Sequence, residues 1–257
     1  MERKPLISVV TVCFNAADEI ERTMLSVLGQ TYPNIEYIIV DGGSADGTVD
    51  IIRKYAGRLA YWVSEPDGGI YEAMNKGIAA ATGDYVNFMN AGDTFHDARV
   101  VETVFSHEYP DNCNVIYGKA QCTYRWGIYI RTPRIEILDI CHQAAFIKLS
   151  THKKMPFDVS FRILADRNFF NILYRQAPES FVYRPYIVSD YDCVRGISST
   201  RKKEFVKEQN RITGSQPALS KIVMAVKRAV YGILPAELQD RLKRRALARN
   251  PRFERVG

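Results

Sequence analysis

Residues 88–93 read FMNAGD: a strand-like stretch, GDYVN, runs into a tight polar turn and leaves one carboxylate, Asp93, at its carboxyl end. Open α/β sheets hold ligands just outside the carboxyl ends of their strands. Three other strand-like runs end in the same manner. ISVVTVCF closes at Asn15, IEYIIVD at Asp41, and LAYWVSE at Glu65 with Asp67 two residues on; the FMNAGD turn also carries Asn90. Asp, Asn and Gly are good turn formers, and that would explain any one of these ends. Together the four ends bring acids and amides to one crevice, which is costly unless something cationic or hydrogen-bonding sits among them. No G-x-G-x-x-G follows the first run and no P-loop lysine motif occurs; Asn15-Ala16-Ala17 stands where such a motif would need glycine. A diphosphate bound here would instead be held through a divalent cation on a carboxylate, and oxygen donors suit Mg2+ or Mn2+.

The elements that would position these residues alternate. ISVVTVCF is a continuous apolar, β-branched run, as expected of a parallel strand buried on both faces. DEIERTMLSVLGQ follows, with Ile20, Met24, Leu25, Val27 and Leu28 on an apolar helical face and Asp18 as its predicted N-cap. GGSADGTVDIIRKYAG is a glycine turn opening a second helix, and GIYEAMNKGIAAATG a third, with Ile70, Met74 and Ile78 in register. Alternation with short links predicts an α/β fold: a Rossmann-like, mostly parallel central sheet with right-handed crossovers, flanked by helices. In the second half FRILADRNFFNILYRQA starts a helix near Asp166, a residue that would also serve as a plain N-cap.

Composition narrows the setting. With 257 residues, 46% hydrophobic, the chain can bury a core in one domain plus an appendage. Its five cysteines form no C-x-x-C pair, so they are expected to be free thiols of a cytosolic protein, not a disulfide frame or zinc site. No secretory leader and no apolar run of about 18 residues is evident. The net charge of +6 is uneven: residues 217–257 hold ten Lys/Arg against three acids, a net +7, which leaves the body at −1.

The segments ISVVTVCFNAADEIERTMLSVLGQTYPNIEYIIVDGGSADGT and EPDGGIYEAMNKGIAAATGDYVNFMNAGD strongly resemble the inverting family-two glycosyltransferases, which have the GT-A fold. The particular flavour resembles bacterial enzymes that assemble capsule, colanic-acid-like exopolysaccharide or lipopolysaccharide O-chains. The likeness is dense over residues 5–95, weaker to about 200, and absent from the tail. It implies a UDP-sugar or other nucleotide-sugar donor and a divalent cation, Mn2+ or Mg2+. Position by position it implies Asn15, Asp41, Glu65, Asp67 and Asn90 around the nucleoside and sugar, Lys76 toward a phosphate, and Asp93 on the metal. His142 and Gln143, in CHQAAF, match a pair near the donor sugar or acceptor edge. Arg195 and Ser198, in RGISST, match a loop that could clamp phosphate. Asp166 matches the general base, with Asp158 second. One departure stands out: many relatives end the FMNAGD turn in two adjacent acids, whereas this chain has Gly92-Asp93.

The predicted organisation is a GT-A domain over 1–216 and a basic amphipathic helical tail over 217–257. Leu219, Ile222, Val223, Val226, Val230, Ile233 and Leu234 recur at helical spacing beside Lys221, Lys227 and Arg228. The tail could dock on the body, or bind an anionic membrane surface where each basic residue contributes on the order of 1 kcal/mol. The resemblance favours the membrane, because family acceptors are often polyprenyl-diphosphate lipids or growing glycans; the enzyme would then be cytoplasmic and peripheral on the inner membrane. A near-neutral body without a recognition motif argues against nucleic acid. The rival class is a non-catalytic GT-A-like scaffold that binds nucleotide or lipid, suggested by the missing acid at Gly92. A nucleotidyltransferase lacks its glycine- and lysine-rich phosphate turn here.

Overall fold

The computed structural model describes residues 4–194, 201–214 and 235–256. Four parallel strands form its first half: β1 (Ile7–Cys13), β2 (Ile35–Asp41), β3 (Tyr61–Ser64) and β4 (Tyr85–Phe88), in the spatial order β4-β1-β2-β3. Every residue of β1 is buried, as its uninterrupted apolar run requires. Helices α1 (Ile20–Leu28), α2 (Thr48–Lys54) and α3 (Ile70–Ala80) make the crossovers. The core has two layers. One gathers Ile20, Met24 and Ile52 against Ile7, Val9 and Ile39; the other gathers Met74 and Ile78 against Val10, Ile38 and Phe88. Each fully buried side chain of this kind contributes roughly 1.5–3 kcal/mol. Strand order reverses between β1 and β4, which makes that border the switch point where a crevice must open.

The second half completes one mixed sheet. β5 (Thr94–Phe95), α4 (Val100–Val104), β6 (Val115–Tyr124), β7 (Gly127–Arg131), β8 (Ala145–Lys148), α5 (Leu149–Lys154), α6 (Ala165–Gln176), β9 (Phe181–Asp192), α7 (Lys202–Thr213), α8 (Ala236–Ala248) and β10 (Phe253–Arg255) follow in order. β8 lies antiparallel beside β4, β6 and β7 follow, and β9 runs parallel to β6. β10 adds antiparallel to β7, so the chain's last described residues return to the sheet edge. Arg252 reinforces that return through an ion pair with Asp139.

Local details differ from expectation in three places. The N-cap of α1 is Glu19, not Asp18. Leu25 is 50% exposed and Thr23 is buried in its stead, because this face meets the polar 90–93 turn. Asp166 is no N-cap either: Leu164 caps α6 and Asp166 lies in its first turn. The five cysteines are free. The apolar tail stripe, Arg195 and Ser198 all lie outside the described residues.

Candidate active site

The turn after β4 is held by the first turn of α1. Asp93 N donates to the Asn90 carbonyl at 2.9 Å, closing the turn. Gly92 N donates to Thr23 Oγ1 at 3.0 Å, Thr23 Oγ1 donates to the Asp93 carbonyl at 2.7 Å, and Arg22 Nη2 donates to the Gly92 carbonyl at 2.6 Å. Gly92 has φ +96°, a conformation costly for any residue with a Cβ. This grip aims the Asp93 carboxylate at the crevice, where its Oδ2 accepts from Gln143 Nε2 at 2.8 Å. Burial pushes the Asp93 carboxyl up to about 6, opposed by the Gln143 hydrogen bond and by His142, and aided by Glu19. A carboxylate so desolvated favours a cation beside it.

Asn90 links this carboxylate to the second half of the molecule. It is 8% exposed; its Nδ2 donates to His142 Nε2 at 3.1 Å, while its Oδ1 has no partner. His142 Nδ1 in turn donates to Asp166 Oδ2 at 2.8 Å, the tautomer being assigned from this network. Tyr71 OH lies 2.9 Å from Asp166 Oδ1 and 2.6 Å from the Ile163 carbonyl. Burial alone would raise the Asp166 carboxyl, but the His142 hydrogen bond, with help from the Arg167 N–H and Tyr71, holds it below its ordinary value. Asp166 is therefore ionised at neutral pH. Two carboxylate oxygens offer about four acceptor sites, so beyond His142, Tyr71 and the Arg167 N–H the group keeps acceptor capacity.

Two contiguous hollows meet along this chain of residues. One of about 560 Å3 is lined by Phe14, Asn15, Gly42, Asp67 and Arg162 among others; the second, of about 720 Å3, by Asp93, His142, Gln143, Asp166 and Arg131 among others. Phe14, Glu19, Tyr71 and Asn90 border both. The strand ends from β1, β4 and the α3 turn thus converge on one crevice with the start of α6.

Not every expected residue faces it. Asp41 is fully buried beneath the floor. It accepts from Gly43 N (3.1 Å), Ser44 N (2.9 Å), Ser44 Oγ (2.5 Å) and Ser64 Oγ (2.6 Å), and it lines neither hollow. Its work in this structure is to fold the 42–44 turn, whose Ser44 Oγ accepts from Asn15 N at 2.7 Å. Glu65 and Lys76 also lie outside both hollows, paired with each other at 2.7 Å. Asp67 does line the first hollow, with Oδ1 accepting from Gly69 N at 2.8 Å. Asp158, the second candidate base, accepts from Ser160 and Arg211 and lies outside both hollows. Phe14, Glu19, Tyr71 and Arg162 were not anticipated. An aromatic at 64% exposure, such as Phe14, has no sequence signal of its own, and an acid at a helix N-terminus is ordinary.

Among the described residues no three His, Cys, Asp or Glu side chains converge as a closed metal cage. The donors present do fit a hard divalent cation that keeps waters and substrate oxygens: the desolvated Asp93 carboxylate and the unpartnered Asn90 Oδ1.

A nucleotide-sized crevice at the switch point, carboxylates on both banks and a mixed sheet extended past β4 define the GT-A class of glycosyltransferases. The chain belongs to glycosyl transferase family 2, whose profile matches residues 8–179, and it is a glycosyltransferase of glycan biosynthesis. A PGL/p-HBAD biosynthesis glycosyltransferase of Mycobacterium tuberculosis is 32% identical over 217 residues, covering 79% of this chain and 83% of that protein. Among solved structures, Staphylococcus aureus TarS has a TM-score of 0.63 at 16% identity, matching 80% of this chain and 39% of TarS. Its residues 1–349 in complex with UDP give 0.61, with this chain spanning 64% of that one. The mannosyltransferase PcManGT of Pyrobaculum calidifontis, in complex with GDP-Man and Mn2+, gives 0.61 at 19% identity, covering 89% of this chain and 70% of that one. At these identities the structural likeness concerns the fold.

Proposed function

We propose that this enzyme is a metal-dependent, inverting glycosyltransferase that moves a sugar from a nucleotide sugar, UDP-linked, to a lipid-linked or growing glycan in bacterial surface polysaccharide synthesis. The observation that supports the reading is the pair of hydrogen-bonded runs Asp93–Gln143 and Asn90–His142–Asp166, which meet at the neighbouring residues His142 and Gln143 on one cleft. The UDP complex of TarS and the GDP-Man, Mn2+ complex of PcManGT support a nucleotide diphosphate donor and a cation.

In this reading Phe14 covers the nucleobase at the mouth of the smaller hollow, and Asn15 and Asp67 border the nucleoside. Asp93, with Asn90 beside it, would hold the cation, which when bound neutralises charge on the departing diphosphate. Asp166 takes the proton from the acceptor hydroxyl as that oxygen attacks the anomeric carbon. His142 and Tyr71 hold the carboxylate in place, and the Asn90–His142 bond ties its position to the metal side of the cleft. A single displacement inverts the anomeric centre, so an α-linked donor gives a β-linkage.

The basic residues of 217–257 support contact with anionic lipid at the cytoplasmic face of the inner membrane. No helix among the described residues is long and apolar enough to cross a membrane. Because β10 belongs to the sheet, neutralising Lys221, Lys227, Arg228, Arg244 and Arg245 tests this contact better than truncation does; unchanged liposome flotation would refute it. For the chemistry, the purified protein should bind or hydrolyse a member of a nucleotide-sugar panel only with Mn2+ or Mg2+. Silence across the panel would overturn the reading.

A further inference from the structure

The 90–93 turn carries one acid where its position beside a diphosphate would suit two. The structure shows what stands in the space of the other. A Cβ built on Gly92 would lie 2.8 Å from Glu19 Oε2 and 3.4 Å from Glu19 Cδ. The Glu19 carboxylate therefore occupies the volume that a side chain at position 92 would enter. It borders both hollows, as Asn90 does, and its charge acts on Asp93. We propose that Glu19, contributed by the start of α1, is the second carboxylate of the cation site, taking the part that Gly92 leaves vacant in the turn.

Three observations carry the inference, which rests on the metal-dependent reading above. The first is the placement itself: Arg22 and Thr23 grip the 90–93 turn by hydrogen bonds, so the start of α1, which carries Glu19, is fixed against that turn. The second is the Asn90 side chain, 8% exposed, on the same turn and bordering both hollows, with Oδ1 lacking a partner. A buried amide oxygen without a donor, on the turn that carries Asp93, is an acceptor open to a cation, and hard oxygen donors of this kind suit Mn2+ or Mg2+. The third is the backbone: φ +96° at Gly92 makes an acid there strained, so a carboxylate for this space is better supplied from another element. The opposing view, that Glu19 only complements the helix dipole, accounts for an acid at the N-cap but not for its seat against Gly92.

The test reads cation binding, not turnover. Manganese binding is followed by the loss of the free Mn2+ electron paramagnetic resonance signal, with UDP and separately with GDP present, for the wild type and for Glu19→Gln, Asp93→Asn and Arg53→Gln. Nucleotide binding in EDTA is measured on the same samples by calorimetry as a check on folding. Expected is a ternary complex in the wild type and in Arg53→Gln, a loss of Mn2+ affinity of about tenfold or more in Glu19→Gln and in Asp93→Asn, and metal-free nucleotide binding unchanged in all. Wild-type Mn2+ affinity in Glu19→Gln, with loss confined to Asp93→Asn, overturns this inference and leaves the function standing. Absence of nucleotide-dependent Mn2+ binding in the wild type overturns both. A melting temperature held within a degree or two of wild type, or rescue of Mn2+ binding by Glu19→Asp, separates lost ligation from lost structure; equal loss in metal-free nucleotide binding counts against the inference.

Discussion

Glu208 offers a demanding test of how the candidate base is positioned. It lies on α7, beyond the matched family segment, and is 8% exposed. Its carboxylate accepts three consecutive backbone N–H groups, from Arg162 at 2.6 Å, Ile163 at 3.0 Å and Leu164 at 2.9 Å. These residues run directly into α6, and Ile163 also supplies the carbonyl that holds Tyr71 against Asp166. Hydrogen bonds to a charged acceptor contribute about 1.5–3 kcal/mol each, and a buried donor left unpaired costs about 1–3 kcal/mol. Some of the three N–H groups would find water after truncation, so Glu208→Ala should cost about 3–5 kcal/mol in total. For a chain of this size that lowers Tm by roughly 10 °C. Glu208→Gln keeps one acceptor oxygen and should lose about half as much. Thermal melts, together with steady-state kinetics on the identified donor, measure both consequences: kcat should fall while the donor KM changes little, since Phe14, Asn15 and Asp67 are untouched. An alanine variant that melts within about 2 °C of wild type would show that the carboxylate is replaceable by solvent and would refute the reasoning.

Asp166→Asn should retain donor binding and reduce kcat by about 10²–10⁴-fold; unimpaired transfer would leave Asp166 a helix-start residue only. Phe14→Ala should weaken nucleotide binding by roughly 5- to 150-fold, the equivalent of about 1–3 kcal/mol of stacking, yet leave Tm unchanged because the ring is 64% exposed in the free protein. A calorimetric titration with UDP decides this, and unaltered affinity would remove Phe14 from the nucleobase site. Burial raises the Asp41 carboxyl, but hydrogen bonds from Ser44 and Ser64 outweigh it and leave the group below its ordinary 3.8. A depressed folded value adds stability that is fully present above the unfolded value and is lost as pH falls through the folded one. Asp41→Asn should therefore be less stable than wild type in denaturant at pH 7, with the gap closing below about pH 4; a gap independent of pH would show that the charge is not what stabilises the turn.

The parallel block was legible because its signals are local. β1 announces itself by seven consecutive residues suited to burial on both faces, and each of the four strand ends carries its own polar turn. Adjacent residues also point to Asn15, Asp67, Asn90, Asp93, His142, Gln143 and Asp166, all of which border the hollows. Where expectation and structure part, the deciding partner is distant in the chain or competes for the same group. Asp41 sits at a strand end as expected, but Ser44 and Ser64 claim its oxygens and draw it beneath the floor. Lys76 has the reach for a phosphate, but Glu65 takes it first. The pairing of β10 with β7 spans more than a hundred residues and is specified by no turn.

Gly92 shows the same limit most sharply. In the linear sequence the glycine is a subtraction: one acid fewer at the expected place, enough to raise the possibility of a binding scaffold without chemistry. In the folded chain Glu19 lies against that glycine although the two are 73 positions apart, and the same helix start that places it also holds Asp93 through Thr23. A motif counts residues along one strand end, whereas a cation counts oxygens within its own radius. The two tallies agree only when every ligand comes from the same turn. Here they disagree, and the anion count of the site is a property of the packing of α1 on the β4 turn.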